Sequence, residues 1–210
     1  MKAFLVANPK GGSGKSTLAT NLAGYFASRR HEVMLGDIDR QQSAREWLAI
    51  RPFELPTIDT WEIGPDAIAR PPKGTTHVVL DTPAGLHGKK LDVVVKSIHR
   101  VIVPLQPSIF DILATRAFLD ELLEEKAVRN QKTFIAVVGM RVDARTRAAH
   151  ELERFLEGLD VPVLGFLRDT QVYVQAAAHG LTLFDLSPAR AALDLPQWQG
   201  IIDWVDAPHA

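Results

Sequence analysis

The sequence predicts an α/β protein built on a single doubly wound, mostly parallel sheet with helices on both faces. Three observations predict it. Short apolar runs alternate with helical patterns along the chain. The runs are rich in Val, Ile, Leu and Phe and show little polar alternation, as in strands buried on both faces. A glycine-rich turn joins the first run to the first helical stretch, where a helix N-terminus can hold an anion. At 210 residues the length fits one domain, 1–210.

In chain order, the first strand is Ala3–Asn8. Its apolar part is short of a signal-peptide core, and no small-residue cleavage site follows it. Helix Lys15–Ser28 comes next, then strand Glu32–Asp37 and helix Gln41–Ile50. Thr57–Trp61 is a shorter, weaker strand. Gly64 to Gly74, with Pro65, Pro71 and Pro72, reads as a connection, because one strand-helix rhythm continues across it. Strand His77–Asp81, helix Lys89–Ser97, strand Arg100–Leu105 and helix Ile109–Glu125 follow. Strand Thr133–Gly139, helix Ala144–Leu159, strand Val161–Phe166 and helix Val172–His179 complete the alternation. Ser187-Pro188 opens a last helical segment, which Pro196 interrupts. Right-handed crossovers place the helices on both sheet faces.

Composition removes several function classes. Apolar residues make up 46% and charged residues 23%, which excludes a disordered chain. Lys and Arg number 24 against 25 Asp and Glu, for a net charge of −1. That excludes a uniform cationic coat for nucleic acid but leaves room for a local basic face. Cysteine is absent, so disulfides, Cys-ligated zinc and iron–sulfur clusters are ruled out. The histidines are scattered without a metal-binding spacing. No apolar stretch approaches the ~20 residues of a spanning helix, so a cytoplasmic protein is expected.

The most informative segment is Gly11-Gly12-Ser13-Gly14-Lys15-Ser16, which follows the turn Asn8-Pro9-Lys10. The P-loop pattern is intact at its close, Gly14-Lys15-Ser16, and lacks only its first glycine. Gly11, Gly12 and Gly14 let backbone N–H groups face phosphate oxygens. The helix opening near Lys15 adds its positive end. Lys15 can reach the β- and γ-phosphates, Ser16 can ligate Mg²⁺, and Thr17 offers a further hydroxyl.

Two departures from an ordinary P-loop stand out. Lys10 opens the loop, and Asp37-Ile38-Asp39-Arg40-Gln41 follows the second strand. With these, the sequence resembles the deviant-Walker ATPases of the ParA/MinD family, in particular small ParA-type partition ATPases. Asn8 to Thr17 is similar to their Walker A motif with its signature lysine. Asp37–Gln41 is similar to their Asp-x-Asp-x-Gln segment, with Arg40 in place of the usual Pro. His77–Gly85 is similar to their Walker B strand and loop, with Ala84 where a second Pro is common.

The resemblance implies an ATPase that uses ATP and Mg²⁺ and forms a face-to-face homodimer on binding ATP. Lys10 would cross to the partner's phosphates, Asp39 would position water, and Ser16, Asp39 and Asp81 would hold Mg²⁺, partly through water. A solvated lysine and helix-capping carboxylates are the respective alternatives. Asp37 would orient the loop or the Mg²⁺ waters. The loops Met140-Arg141 and Arg168-Asp169 would surround adenine, with Arg141 either stacked on the base or at the surface. The resemblance also implies non-specific DNA binding through late basic residues, here Arg145, Arg147 and Arg154. A solvated face interleaved with Glu151, Glu153 and Glu157 is the alternative. With the first strand opening at Ala3, no N-terminal helix-turn-helix is expected.

The function so implied is ATP-dependent partition or positioning of a cargo, plasmid or chromosome DNA or a protein assembly. A separate ParB-like or cargo-adaptor protein would stimulate hydrolysis, and the ATP form would associate with the nucleoid. Two alternatives are a dethiobiotin-synthetase-like ligase and a MinD-like membrane-associated division regulator. The charges of the C-terminal Trp198–Val205 segment are Asp203 within it and Asp206 after it, which disfavours an anionic membrane and favours packing on the domain.

Overall fold

The first strand, β1 (Lys2–Val6), alternates its side chains between two cores. Phe4 and Val6 enter one cluster; Ala3 and Leu5 enter the other. A strand so buried needs helices on both sides, and the chain supplies them. The computed structural model describes residues 1–39, 41–61, 63 and 70–208. Arg40 and residues 64–69 of the predicted Pro-rich connection lie outside the described residues.

After β1 come α1 (Lys15–Ser28), β2 (Val33–Asp37), α2 (Ser43–Ala49), β3 (His77–Asp81) and α3 (Gly88–Val95). Next are β4 (Arg100–Leu105), α4 (Ile109–Glu124), α5 (Lys126–Arg129), β5 (Phe134–Val142), α6 (Arg147–Glu157) and β6 (Val163–Arg168). The chain closes with α7 (Gln171–Ala177), α8 (Pro188–Ala191) and α9 (Gln199–Asp206). The sheet order is β2-β3-β1-β4-β5-β6, and every pairing is parallel. One cluster packs α1, α2, α7 and α9 on one face. The other packs α3, α4 and α6 on the opposite face. The predicted doubly wound fold is the observed one.

Differences lie mainly at element ends, and the short helix α5 (Lys126–Arg129) was not among the predicted elements. The weak strand at Thr57–Trp61 reduces to a single bridge, with Asp59 opposite Met34 on the outer edge of β2. The last strand sits later than predicted, at Val163–Arg168, because Pro162 has no N–H for the ladder. β5 runs on to Val142 through register shifts near Gly139. α6 starts at Arg147, where the Thr146 hydroxyl caps the Ala149 N–H at 3.2 Å.

The C-terminal segment belongs to the core. Trp198, Ile201 and Val205 are fully buried, and the Trp198 indole donates to the Tyr173 hydroxyl at 2.9 Å. The chain end after α9 is held from below. Arg100 donates to the Trp204 carbonyl and, at 2.8 Å, to that of Ala207, while Lys2 donates to the Asp206 carbonyl at 3.2 Å. Two cations thus satisfy carbonyls that a helix end leaves open. Among the described residues no helix is long and apolar enough to cross a membrane.

One buried group at this lower end makes stability pH-dependent. The His77 ring lies 4.5 Å from Phe26 and 4.0 Å from His31, centroid to centroid. Burial pushes its pKa from 6.5 down to about 4, and the His31 and Lys2 charges add to this. The folded state therefore keeps the ring neutral, while the unfolded chain protonates it. Stability is full above pH 6.5 and is lost as the pH falls toward 4. We expect His77→Phe to flatten the fall of Tm between pH 7 and pH 5. Equal slopes for both proteins, measured by calorimetry, would remove His77 as the cause.

Candidate functional site

The glycine-rich loop sits at the carboxyl edge of the sheet, where the topology switches. From β1 the chain crosses through α1 toward β2 and β3, while β4 flanks β1 on the other side. Ligands of open α/β sheets bind in such a crevice. Gly12 has φ +77° and Gly14 φ +95°, the left-handed region that glycine enters without strain. A Cβ at Gly11 or Gly12 would meet nothing within 4 Å, so this lip of the loop is open. A Cβ at Gly14 would lie 2.8 Å from the Met140 methyl. Gly14 is thus required for both its φ and its close packing.

Asn8 anchors the loop from beneath. It is 2% exposed, and its amide nitrogen donates to the Pro104 carbonyl at 2.8 Å and to Thr115 Oγ1 at 2.9 Å. Its side-chain oxygen accepts the Lys10 N–H at 2.8 Å. Further bonds join neighbouring loops: Gly85 N–H to the Pro9 carbonyl at 3.1 Å, and Ile38 N–H to the Asp81 carbonyl at 3.0 Å.

The Lys15 ammonium folds back inside the loop. It donates to the Lys10 carbonyl at 2.8 Å and lies 3.5 Å from Ser13 Oγ. Burial lowers its pKa, opposed by the charges of Asp81 and Asp39. Asp81 ends β3 at 2% exposure. Burial raises its pKa from 3.8 to about 7; the Ser16 hydroxyl and the Thr82 N–H, which donate to it, pull the other way. Ser16 thus lies close enough to Asp81 to favour its ionised form.

The second carboxylate loop divides its work. Asp37 accepts the Asp39 N–H at 2.9 Å and the Ala44 N–H at 2.8 Å, so it caps α2 and shapes the loop. Burial raises its pKa, which these backbone donors moderate. Asp39 is half-exposed and accepts the Gln41 N–H at 3.0 Å.

These residues fit a magnesium nucleotide. The open lip at Gly11 and Gly12, with left-handed glycines beside it, is a cradle for oxyanions. Mg²⁺ takes one or two protein oxygens and completes its shell with phosphates and water. The Ser16 hydroxyl near the buried, desolvated Asp81 carboxylate suits that donor set.

The residues predicted around the base divide. Arg141 is exposed, with φ +52° inside the β5 irregularity, so a bulge turns it outward at the strand end. The side chain of Met140 is buried against Gly14, where it supports the loop instead of lining an open pocket. Arg168, in the second loop predicted around the base, gives its guanidinium fork to the fully buried Asp194 at 2.7 and 3.0 Å. Asp169 is exposed just before the Thr170 cap of α7. Among the predicted DNA contacts, Arg145 is engaged bidentately by Asp143 at 2.9 Å. Arg147 and Arg154 are exposed on α6, one helical face apart from Leu152 and Leu156, which are buried.

Two residues that hold the loop escaped the sequence reading, Asn8 in its bracing role and Gln106. The Gln106 amide nitrogen donates to the Gly12 carbonyl from the end of β4. Its only signal was its place after an apolar strand, and the adjacency of β4 to β1 is a property of the sheet.

Residues 4–183 match the CobQ/CobB/MinD/ParA nucleotide binding domain. The chain is 33% identical over 182 residues to a maintenance of carboxysome distribution protein A from Gloeobacter kilaueensis, covering 85% of this chain and 82% of that one. It is 29% identical over 204 residues to the protein of the same name from Halothiobacillus neapolitanus, covering 92% and 93%. A plasmid partition protein from Borrelia burgdorferi, solved bound to AMPPNP, has the same fold at a TM-score of 0.71. Its sequence is 19% identical, over 97% of this chain and 99% of that one.

The Asp81 carboxyl makes a testable demand. Its folded pKa of about 7 exceeds the unfolded 3.8, so ionisation opposes folding. The opposition starts near pH 4, grows as pH rises, and is complete above pH 7. We expect Asp81→Asn to raise the Tm of the nucleotide-free protein, and more so at pH 8 than at pH 5. The same gain at both values would remove carboxylate desolvation as its source.

Proposed function

Since the chain belongs to the CobQ/CobB/MinD/ParA nucleotide-binding family, and within it to the ParA/MinD P-loop ATPases, we propose that it is an ATP-driven positioning protein. It binds ATP with Mg²⁺, pairs with a second copy over the nucleotides, holds non-specific DNA in that state, and releases it after hydrolysis stimulated by a separate protein. The observation that carries this reading is the gathering of Lys15, Ser16, Asp39 and Asp81 around the glycine-rich loop that Lys10 opens, with the charges of both aspartates acting on Lys15.

In this reading each residue takes a role suited to its chemistry. The N–H groups of Gly11 to Thr17 and the Lys15 ammonium hold the phosphates. Ser16 and, through water, Asp81 hold Mg²⁺, which when bound neutralises phosphate charge. Asp39, half-exposed at the crevice, orients the attacking water. Lys10 reaches the nucleotide of the paired copy, where a cation on developing charge is worth ~10³–10⁵ in rate, as for an arginine finger.

The pairing reading has support beside the crevice. The first turns of α4 expose Ile109 at 53%, Phe110 at 72% and Leu113 at 59%. Three large apolar side chains in so small an area favour burial against another surface. The exposed Arg147 and Arg154 on α6 support phosphate contacts without base reading, with Glu151 between them keeping a single copy's attraction weak. The relatives at 33% and 29% identity are named for carboxysome distribution, which supports a protein assembly as the cargo. The buried face of α9 supports a protein that works without a membrane anchor at this helix.

Light scattering tests the pairing. We expect a dimer with ATP and not with ADP, and Asp39→Ala to retain the ATP dimer while turnover is lost. Unchanged turnover in Asp39→Ala would remove its role, and a monomer at saturating ATP would remove the pairing. DNA binding is read by mobility shift on random duplex. We expect binding with ATP and none with ADP, and roughly a hundredfold loss between about 50 and 200 mM salt if four phosphates are contacted. Binding independent of nucleotide and salt would exclude the proposed mode.

A further inference from the structure

Gln106 is the residue that ties β4 to the phosphate loop. It directly follows β4, and β4 is the sheet neighbour of β1. Its own carbonyl accepts the Ser108 N–H at 2.8 Å, which sets its backbone in a tight turn before α4. From there its side-chain Nε2 donates to the carbonyl of Gly12.

That carbonyl is a sensitive point. In a trans peptide the C=O and the following N–H point in opposite directions. Holding the Gly12 carbonyl therefore fixes where the Ser13 N–H points. Gly12 sits at φ +77°, and the space beside its Cα is open to 4 Å. A glycine in open space lets the next peptide turn over at little steric cost. Other parts of the loop have their own holds. Asn8 holds the Lys10 N–H, Lys15 holds the Lys10 carbonyl, and the Leu18 N–H bonds the Gly14 carbonyl at 2.9 Å. The Gly12–Ser13 peptide has Gln106.

We propose that Gln106 is a positioning residue of the phosphate loop: its amide N–H group locks the Gly12–Ser13 peptide so that the Ser13 N–H serves the phosphates. The proposal rests on the nucleotide-binding reading above and adds to it a control on that site from β4. What matters is the donor. Glutamate has nearly the same shape, but it presents an acceptor to a carbonyl and a negative charge to a phosphate site. Alanine removes the group and leaves Gly12 free to turn.

The test compares the unaltered protein with Gln106→Ala and Gln106→Glu. A fluorescent ATP analogue gives the affinity, steady-state assays give KM and kcat, and calorimetry gives the Tm without nucleotide. We expect Gln106→Ala to weaken nucleotide binding about tenfold, the worth of one good hydrogen bond. Gln106→Glu should weaken it more. KM should rise more than kcat falls, and the nucleotide-free Tm should stay within about 2 °C, since a half-exposed side chain contributes little to folding. Affinities within twofold of the unaltered protein in both variants would overturn the proposal. So would a parallel drop in Tm and affinity in both, which would mark a general brace of the fold. Failure of the unaltered protein to bind ATP would overturn the nucleotide reading itself, a result distinguishable from the other two.

Discussion

The buried amide of Asn8 is the contact on which the site depends. It satisfies three hydrogen bonds in an apolar setting, to β4, to α4 and to the Lys10 N–H. Buried polar groups that are fully paired fix one geometry, because any alternative leaves a donor or acceptor without a partner. The loop that leaves β1 is therefore positioned by the sheet before any ligand arrives. Lys15, the aspartate loops and α1 are arranged around that anchor.

The electrostatics of the crevice follow from burial. Lys15 and Asp81 both have their charged forms disfavoured by desolvation, and each partly compensates the other. Such a site stores unfavourable solvation that a polyanion with its cation can relieve. Strongly perturbed groups gathered in a cleft are a mark of function. The opposite end of the sheet shows the structural counterpart. There Arg100 and Lys2 meet backbone carbonyls at the end of α9, and Arg51 and Asp185 form a buried pair at 2.8 Å. These charges hold the C-terminal segment against α1 and α2.

The two faces of the sheet also divide the labour. The α1 side carries the C-terminal segment, with Trp198 at its centre. The α4 side carries the exposed apolar turns and the arginines of α6.

The sequence by itself determined the fold class, because apolar runs without alternation bury both faces of a strand, and it located Gly11 to Thr17, whose chemistry depends on residue types in a fixed local order. Asp39 and Asp81 could be singled out for the same reason: Asp81 ends β3 and Asp39 follows the end of β2 by two residues, each in a recognisable local string. What only the tertiary structure decided was every role that depends on which strands are neighbours. The sequence does not say that β4 lies beside β1, so the bracing by Asn8 and the reach of Gln106 to Gly12 were not visible. Nor does it say that Asp194 takes the fork of Arg168, or that Met140 fills the space under Gly14. These are contacts across many residues of chain. Local spacing fixes what a residue can do, and packing between distant segments fixes what is left for it to do.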